Sequence, residues 1–332
     1  MKIAEKPSKE IRLMKFLENL TKKSAIFQRT VGLTNEQFQK FAQQLTVIWN
    51  EAETTRNSRD DRQRRIGGGR SYKLISLEHK LLVVLVYYKA YFTQEFIGIM
   101  VGLDQANISR LIKKMMPLIE KVTDKELSAY LIKAKEEYDK IPASERLNNW
   151  SDFLKKYPHL QDVSSDATEQ HVHRSSNNET QKKYYSGKKK KHTIKTQISV
   201  SQSGRILDVS ESYPGSKHDI KIAEEEQTVQ KFPEQTCQRF DAGFQGIDKK
   251  NPDHYIVIPI KKPKGKELSS FQKELNTMHS KRRIRVEHAF SRIKKFKICS
   301  QRYRGGMKNY NTTFRGVVSF VNFKWAYGAS AA

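Results

Sequence analysis

Cysteine is nearly absent: Cys237 and Cys299 are the only two in 332 residues, far apart and without disulfide or metal-ligand spacing. That excludes a disulfide-stapled secreted scaffold and leaves two buried thiols suited to a reducing interior. Long apolar runs are missing as well. The longest, "LLVVLVYY" at 81–88, falls far short of the roughly 20 residues that cross a bilayer. The opening "MKIAEKPSKEIRLMKF" lacks the apolar core of a secretory signal, so a cytoplasmic protein with no membrane partner is expected. Negative charge is scarce: 36 Asp plus Glu face 62 Lys plus Arg, a formal net charge of +26. Such an excess points to nucleic acid, because neutralising phosphates releases counterions and drives binding. A ribosomal or purely architectural protein would share that balance, so charge names the partner and not the activity. No internal repeat of useful length is visible.

What is present divides into five stretches. Residues 1–56 form a helical N-terminal region. "SKEIRLMKFLENLTKK" and "TNEQFQKFAQQLTVIW" each carry an apolar face, and Thr34 stands as the cap of the second. Residues 57–71, "NSRDDRQRRIGGGRS", are a basic, glycine-rich linker. Within 72–122, three helices start at Ser76, Thr93 and Asp104, and the last two join through Gly102-Leu103-Asp104. That is helix-turn-helix spacing. Leu103, Ile108, Leu111 and Ile112 then pack inward, leaving Gln105, Asn107, Arg110, Lys113 and Lys114 for bases and phosphates. An ordinary three-helix packing unit has the same pattern, but the charge favours DNA. Residues 123–158 read as a charged helical connector.

From 159 to 327 the period changes. A first strand is read as ending at Asp166. "HTIKTQISV" alternates Ile194, Thr196, Ile198 and Val200 with Lys195, Gln197 and Ser199, and "SQSG" turns it into "RILDVSES", so 193–211 is a β-hairpin. "KHDIKIAEEEQTVQKF" is helical, "CQRFDAG" a short strand, "HYIVIPI" a buried strand, and about 268–298 a long helix. The fold class is therefore mixed α+β, a mixed sheet flanked by helices and preceded by an all-α region.

Three acids stand out. Asp166 in "VSSDATEQ" and Asp241 in "RFDAGFQGI" are read at strand ends, where sheets present side chains to ligands. Glu287 lies beside the apolar stripe of the last helix, within "KRRIRVEHAFSRIKKFK", where eight of seventeen residues are basic and Glu287 is the lone acid. Oxygen ligands without a His or Cys cluster suit Mg²⁺ or Mn²⁺. Two such ions about 3.5–4 Å apart can serve phosphodiester chemistry. Each acid alone has a plainer reading: Asp166 and Asp241 as turn caps, Glu287 as the ion-pair partner of Arg283 or Lys294.

"DATEQHVHR", "YYSGKKKKHTIKTQISV", "GRILDVSESYPGSKHDIKI", "FDAGFQGI" and "RRIRVEHAFSRIKKFK" together resemble the successive motifs of a DDE transposase. The resemblance is to insertion-sequence family five, relatives of Harbinger elements, and spans about residues 72–327. It implies a ribonuclease-H-like catalytic domain over 159–327, with Asp166, Asp241 and Glu287 as catalytic and metal-binding residues. It also implies two Mg²⁺ or Mn²⁺ ions per site, hydrolytic cleavage at inverted-repeat ends, and attack of the freed 3′-OH on target DNA. Double-stranded DNA is then the partner, a homodimer or larger assembly forms on it, and the setting is the nucleoid of a bacterial cell. Phe244 stands where Tyr is commoner in the family. Asp219 in "GSKHDI" is a rival carboxylate, read instead as the cap of a helix.

The run Lys188, Lys189, Lys190 and Lys191 has three readings, a nuclear-localisation signal, a solvated turn, or phosphate contact beside the active site, the last preferred because the run feeds a strand. Arg174, Arg283 and Lys294 are further DNA contacts on this reading. Two other functions remain open: a non-catalytic DNA-binding regulator, and a metal-dependent nuclease that cuts without joining.

Overall fold

The computed structural model describes residues 19–58 and 76–329. The linker expected at 57–71 lies almost wholly outside the described residues, as does most of the first expected helix. The chain forms two compact units, one from Met1–Thr123, Lys295–Ile298 and Thr312–Ala332, the other from Asp124–Lys294 and Cys299–Asn311. A catalytic domain was expected to run to 327, whereas residues 312–329 belong to the first unit.

The first unit is helical: α1 (Ser24–Val31), α2 (Asn35–Asn57), α3 (Leu77–Ala90), α4 (Gln94–Val101), the first half of α5 (Gln105–Asp139) and most of a C-terminal helix, Tyr310–Ala329. Its helix starts are written in the sequence. Thr34 makes a full capping box with Gln37, and the Ser76 and Thr93 hydroxyls accept the N–H groups of His79 and Phe96. Helix α3 is buried from Leu81 to Tyr88 without a break, which fits a helix apolar on all sides and central to its unit. Phe41 of α2 packs on Phe320 and Phe323 at ring distances of 4.6 and 5.2 Å, and Thr123 and Ser319 share a buried 2.6 Å hydrogen bond. The α4–α5 turn needs two glycines. Gly102 is left-handed at φ 67°, and a Cβ on Gly98 would stand 2.5 Å from the Leu103 carbonyl. Past the turn, α5 does not stop near 122 but continues to Asp139 through Pro117.

The second unit is built on β1 (Asp162–His171), β2 (Tyr185–Ser186), β3 (Lys191–Ser201), β4 (Ile206–Pro214), β5 (Cys237–Arg239) and β6 (Ile256–Val257). Strand β3 is central, with β1 on one edge and β2 and β4 on the other, all antiparallel; β5 and then β6 add parallel beyond β1. This mixed sheet has the ribonuclease-H-like order. Helices α6 (Arg146–Lys156), α7 (Asn178–Tyr184), α8 (Asp219–Glu225), α9 (Ile247–Lys250) and α10 (Ser270–Lys294) complete the unit, with the Tyr310–Ala329 helix, α11, beginning in it. Among the described residues, two groups of buried apolar side chains lie here. One group joins Tyr138, Phe153, Leu160, Val163 and Phe232; the other joins Phe240, Phe244, Val229 and Ile247.

Four expectations change. Asp166 does not end its strand; it sits in the middle of β1, opposite Ile198. The buried strand expected over 254–260 shrinks to the partly exposed pair Ile256–Val257, because β6 is an edge strand with one neighbour. The helix expected over 217–232 ends at Glu225, two residues before left-handed Gln227. Finally, β3 does not alternate between core and solvent but is buried almost throughout. Its polar residues are paired instead: Ser199 with Ser165 at 2.7 Å and Gln197 with Thr228 at 3.2 Å.

Candidate active site

Strand register brings the first two acids together. In the parallel β1–β5 pair Ser164 lies opposite Arg239. Two residues further along each strand come Asp166 and Asp241, so they emerge side by side where β5 leaves the sheet. Asp241 then opens a single helical turn, Ala242–Phe244, without capping it through its side chain. The cap reading is thereby set aside for Asp241, as it is for Asp166, which is in a strand.

Helix α10 packs across β1 and β3 and brings His279, Arg283 and Glu287 in steps of four residues, roughly one turn each. Arg283 reaches both aspartates: Nη2 donates to Asp166 Oδ2 at 2.8 Å, and Nη1 to Asp241 Oδ1 at 3.2 Å. The other Asp166 oxygen accepts the Ala167 N–H at 2.7 Å. Burial pushes the Asp166 carboxyl up to about 6 against the opposing pull of Arg283, with Asp241 and Glu287 adding to the rise. Their charges therefore act on Asp166, although Glu287 itself is exposed and makes no ion pair among the described residues. The proposed Glu287–Arg283 pair does not form, because Arg283 is spent on the two aspartates.

His279 sits under this face. Its Nε2 meets the Phe240 carbonyl at 2.9 Å and burial lowers its pKa, while its Nδ1 and the Nε of Arg283 are buried without a partner. The exposed Lys294 has its pKa lowered, first by partial desolvation and then by Lys189, against the opposing pull of Glu287 and Asp166. The lysine turn of the β2–β3 hairpin thus comes near Lys294 through Lys189. Lys188, Lys189, Lys190 and Lys191 are all exposed, and Lys190 is left-handed at φ 53°. Arg174 is held by Gln181 at 2.8 Å.

A second cluster occupies the opposite face of β1, as three residues' separation from Asp166 requires. Lys195 Nζ donates to Asp219 Oδ1 at 2.9 Å and to the Lys217 carbonyl at 2.7 Å, and lies 3.7 Å from Glu169 Oε1. Glu169 also accepts the Thr193 hydroxyl at 2.8 Å. Asp219 is the first residue of α8 and not its cap, which is His218. Its free oxygen stands 3.5 Å from where a Cβ on Gly243 would be, so α8 and the Asp241 turn are neighbours. Sequence reasoning missed this buried lysine, although the polar alternation of β3 contained it.

In the helix-turn-helix, Gln105, Asn107, Arg110 and Lys113 are exposed, and Ile108 and Ile112 are buried. Gln105 bonds Gln94 at 3.0 Å and Arg110 bonds Asn107 at 3.0 Å. Lys114 differs from the rest: its ammonium pairs with Glu53 at 2.5 Å and lies 4.2 Å from the Trp49 ring centroid, an internal α2–α5 contact. Arg283, too, is a correction, since a nearly buried guanidinium on two carboxylates is not a free phosphate ligand.

Family comparisons agree with this geometry. Residues 165–322 match the model of the DDE superfamily endonuclease, and residues 72–124 match the helix-turn-helix of DDE superfamily endonuclease. The chain is 30% identical over 269 residues to the probable transposase for insertion sequence element IS702 of Microchaete diplosiphon, covering 81% of this chain and 88% of that one. The chain belongs to the DDE superfamily. A solved structure, the Mos1 transposase paired-end complex with left transposon end, aligns over 98% of both chains at 12% identity and a TM-score of 0.21. As a DDE endonuclease the protein works on DNA and employs divalent metal ions. Among the described residues, no three His, Cys, Asp or Glu groups converge closely enough to hold one. Two of the three expected ligands, Asp166 and Asp241, are bridged by the Arg283 guanidinium.

The acids nonetheless suit a hard divalent cation. They offer only oxygens, and two of them already converge on one planar cation, the Arg283 guanidinium. No described helix is long and apolar enough to cross a membrane.

Proposed function

We propose that this protein is an insertion-sequence transposase, of family five, that binds the inverted-repeat ends of its element, cleaves them and joins the 3′-OH ends to target DNA. The observation that carries this reading is the placement of Asp166 and Asp241 side by side, with Glu287 one turn beyond the arginine that spans them. Asp166, Asp241 and Glu287 would hold two Mg²⁺ or Mn²⁺ ions, which supply activation of the attacking oxygen and stabilisation of the departing one. Arg283 holds the two aspartates at a fixed separation. The Ala167 N–H fixes one oxygen of Asp166; the other, bonded to Arg283, is the one for which an incoming cation would compete with the guanidinium. Lys294, near the acids, and Lys189, near Lys294, bind the phosphates flanking the scissile bond. In hydrolysis a water oxygen bonds to phosphorus and the bond to the 3′ oxygen breaks, leaving a 3′-OH. In joining, that 3′ oxygen bonds to a target phosphorus and a second 3′ oxygen departs. Exposed Gln105, Asn107, Arg110 and Lys113 read the ends. Two ends meet one target, so a homodimer or larger assembly acts, on the nucleoid in a bacterial cytoplasm.

The test combines protein, Mg²⁺, a labelled end duplex and a target plasmid. Joined products are expected, and Glu287→Gln should reduce them by about 10³-fold while DNA binding persists, as loss of several kcal/mol of charge stabilisation implies. Full joining by that variant overturns the assignment; cleavage without any joined product makes the protein a nuclease.

A further inference from the structure

Four lysines of the helical unit surround one buried ring. Phe296 is buried, and its chain neighbours Lys295 and Lys297 are both exposed. Lys89 of α3 sets its ammonium 5.1 Å from the centre of that ring and donates to the Lys295 carbonyl at 3.0 Å. Lys324 of α11 donates to the Gly32 carbonyl at 3.3 Å. Gly32, left-handed at φ 92° after α1, closes the floor. A Cβ there would crowd the Phe296 ring at 3.1 Å and lie in ordinary contact with the Lys89 stem at 3.6 Å.

These ammoniums have no acid. Among the described residues no carboxylate pairs with Lys89, Lys295, Lys297 or Lys324, whereas Lys114 of the same unit is neutralised by Glu53. Their mutual repulsion is visible on Lys89, whose pKa is lowered first by burial and then by Lys324, Lys295 and Lys297; Lys324 is lowered by burial and by Lys295. Like charges held together on a fixed floor destabilise the folded state until an anion arrives. The floor offers no exposed ring for a base to stack on, so what it recognises is charge and spacing rather than sequence.

We propose that this cluster is a second DNA site, distinct from the recognition helix, which takes neighbouring phosphodiesters of the duplex backbone. The occupant follows from the unit that carries it: the same unit matches a DNA-binding helix-turn-helix, and the chain's +26 charge suits a polyanion rather than a single small anion. The inference rests on DNA as partner and not on cleavage or joining.

The test measures binding of the full chain to a random-sequence duplex by fluorescence anisotropy, at about 50–300 mM KCl. Lys295→Gln with Lys297→Gln removes two exposed charges outside the core. The slope of log K against log [KCl] should shallow by about 2, since each phosphate contact contributes about 0.9. Affinity near the middle of that range should fall at least tenfold, and Lys295→Arg with Lys297→Arg should restore both. Arg110→Gln with Lys113→Gln in the recognition helix serves as comparison. A shallower slope in both pairs supports the second site. A change in the helix pair alone overturns it and leaves the DNA reading intact, and no change in either overturns both.

Discussion

Two clusters of the same stoichiometry, two carboxylates on one cation, lie on opposite faces of β1. On one face Arg283 joins Asp166 and Asp241; on the other Lys195 joins Glu169 and Asp219. The acids differ in access. Asp166 and Asp241 are 19% and 46% exposed around a 10%-exposed arginine, whereas Glu169 and Asp219 are 8% and 25% exposed around a 10%-exposed lysine. The closed cluster is also tied further, by the Thr193 hydroxyl on Glu169 and by the Lys217 carbonyl on Lys195. The open one keeps Arg283 Nε unsatisfied. Similar charges therefore serve two ends: the closed set ties α8 to the sheet, and the open set keeps acids available to an incoming cation.

The sharpest way to break this contrast is Lys195→Met. It leaves Glu169 charged and enclosed, and should cost about 3–5 kcal/mol in urea unfolding. A loss below about 1 kcal/mol would show that the closed cluster does not hold the fold.

Next comes pH. The folded-state pKa of Asp166 is raised to about 6 from 3.8, so between these values the folded chain binds more protons than the unfolded one. Its contribution to stability falls as pH rises through that window, by up to about 3 kcal/mol. Asp166→Asn removes that slope. Unfolding in EDTA from pH 4 to 7 should show the variant gaining on the parent as pH rises, and parallel curves would contradict the burial argument.

Arg283→Gln should destabilise by about 2 kcal/mol, less than a fully enclosed pair because Asp241 is substantially solvated. Added Mn²⁺ should raise the melting temperature of the variant more than that of the parent, since the ion and the guanidinium answer the same charges. Equal shifts would mean that they do not compete.

The smallest effect is expected for Gly243→Ala, whose Cβ would make only an ordinary 3.5 Å contact with Asp219. It should change stability by less than about 0.5 kcal/mol and add to Lys195→Met without coupling. A strong coupling would show that the two clusters communicate through the Asp241 turn.

Local signals were legible where one residue type settles one local question. Thr34, Ser76 and Thr93 announced helix starts, and the alternation after Lys191 announced the hairpin. The order of acids and motifs made the family readable before any coordinates. The role of Arg283 was hidden by its company, since eight basic residues in seventeen look interchangeable. One signal was available: His279, Arg283, Val286, Phe290 and Ile293 follow the spacing of a single buried helix stripe, which sets Arg283 apart from its neighbours. The family motifs grouped Asp166 with Asp241, but the means of their approach was not legible, because it depends on a parallel register formed across 75 residues of chain. The lysines around Phe296 were equally obscure, coming from three distant segments.

The return of the C-terminal helix to the first unit has a genetic consequence. Phe314, Val317 and Phe320 are core residues beside helices made some 200 residues earlier. A stop codon before them would strip that core as surely as one before Glu287 removes the last acid.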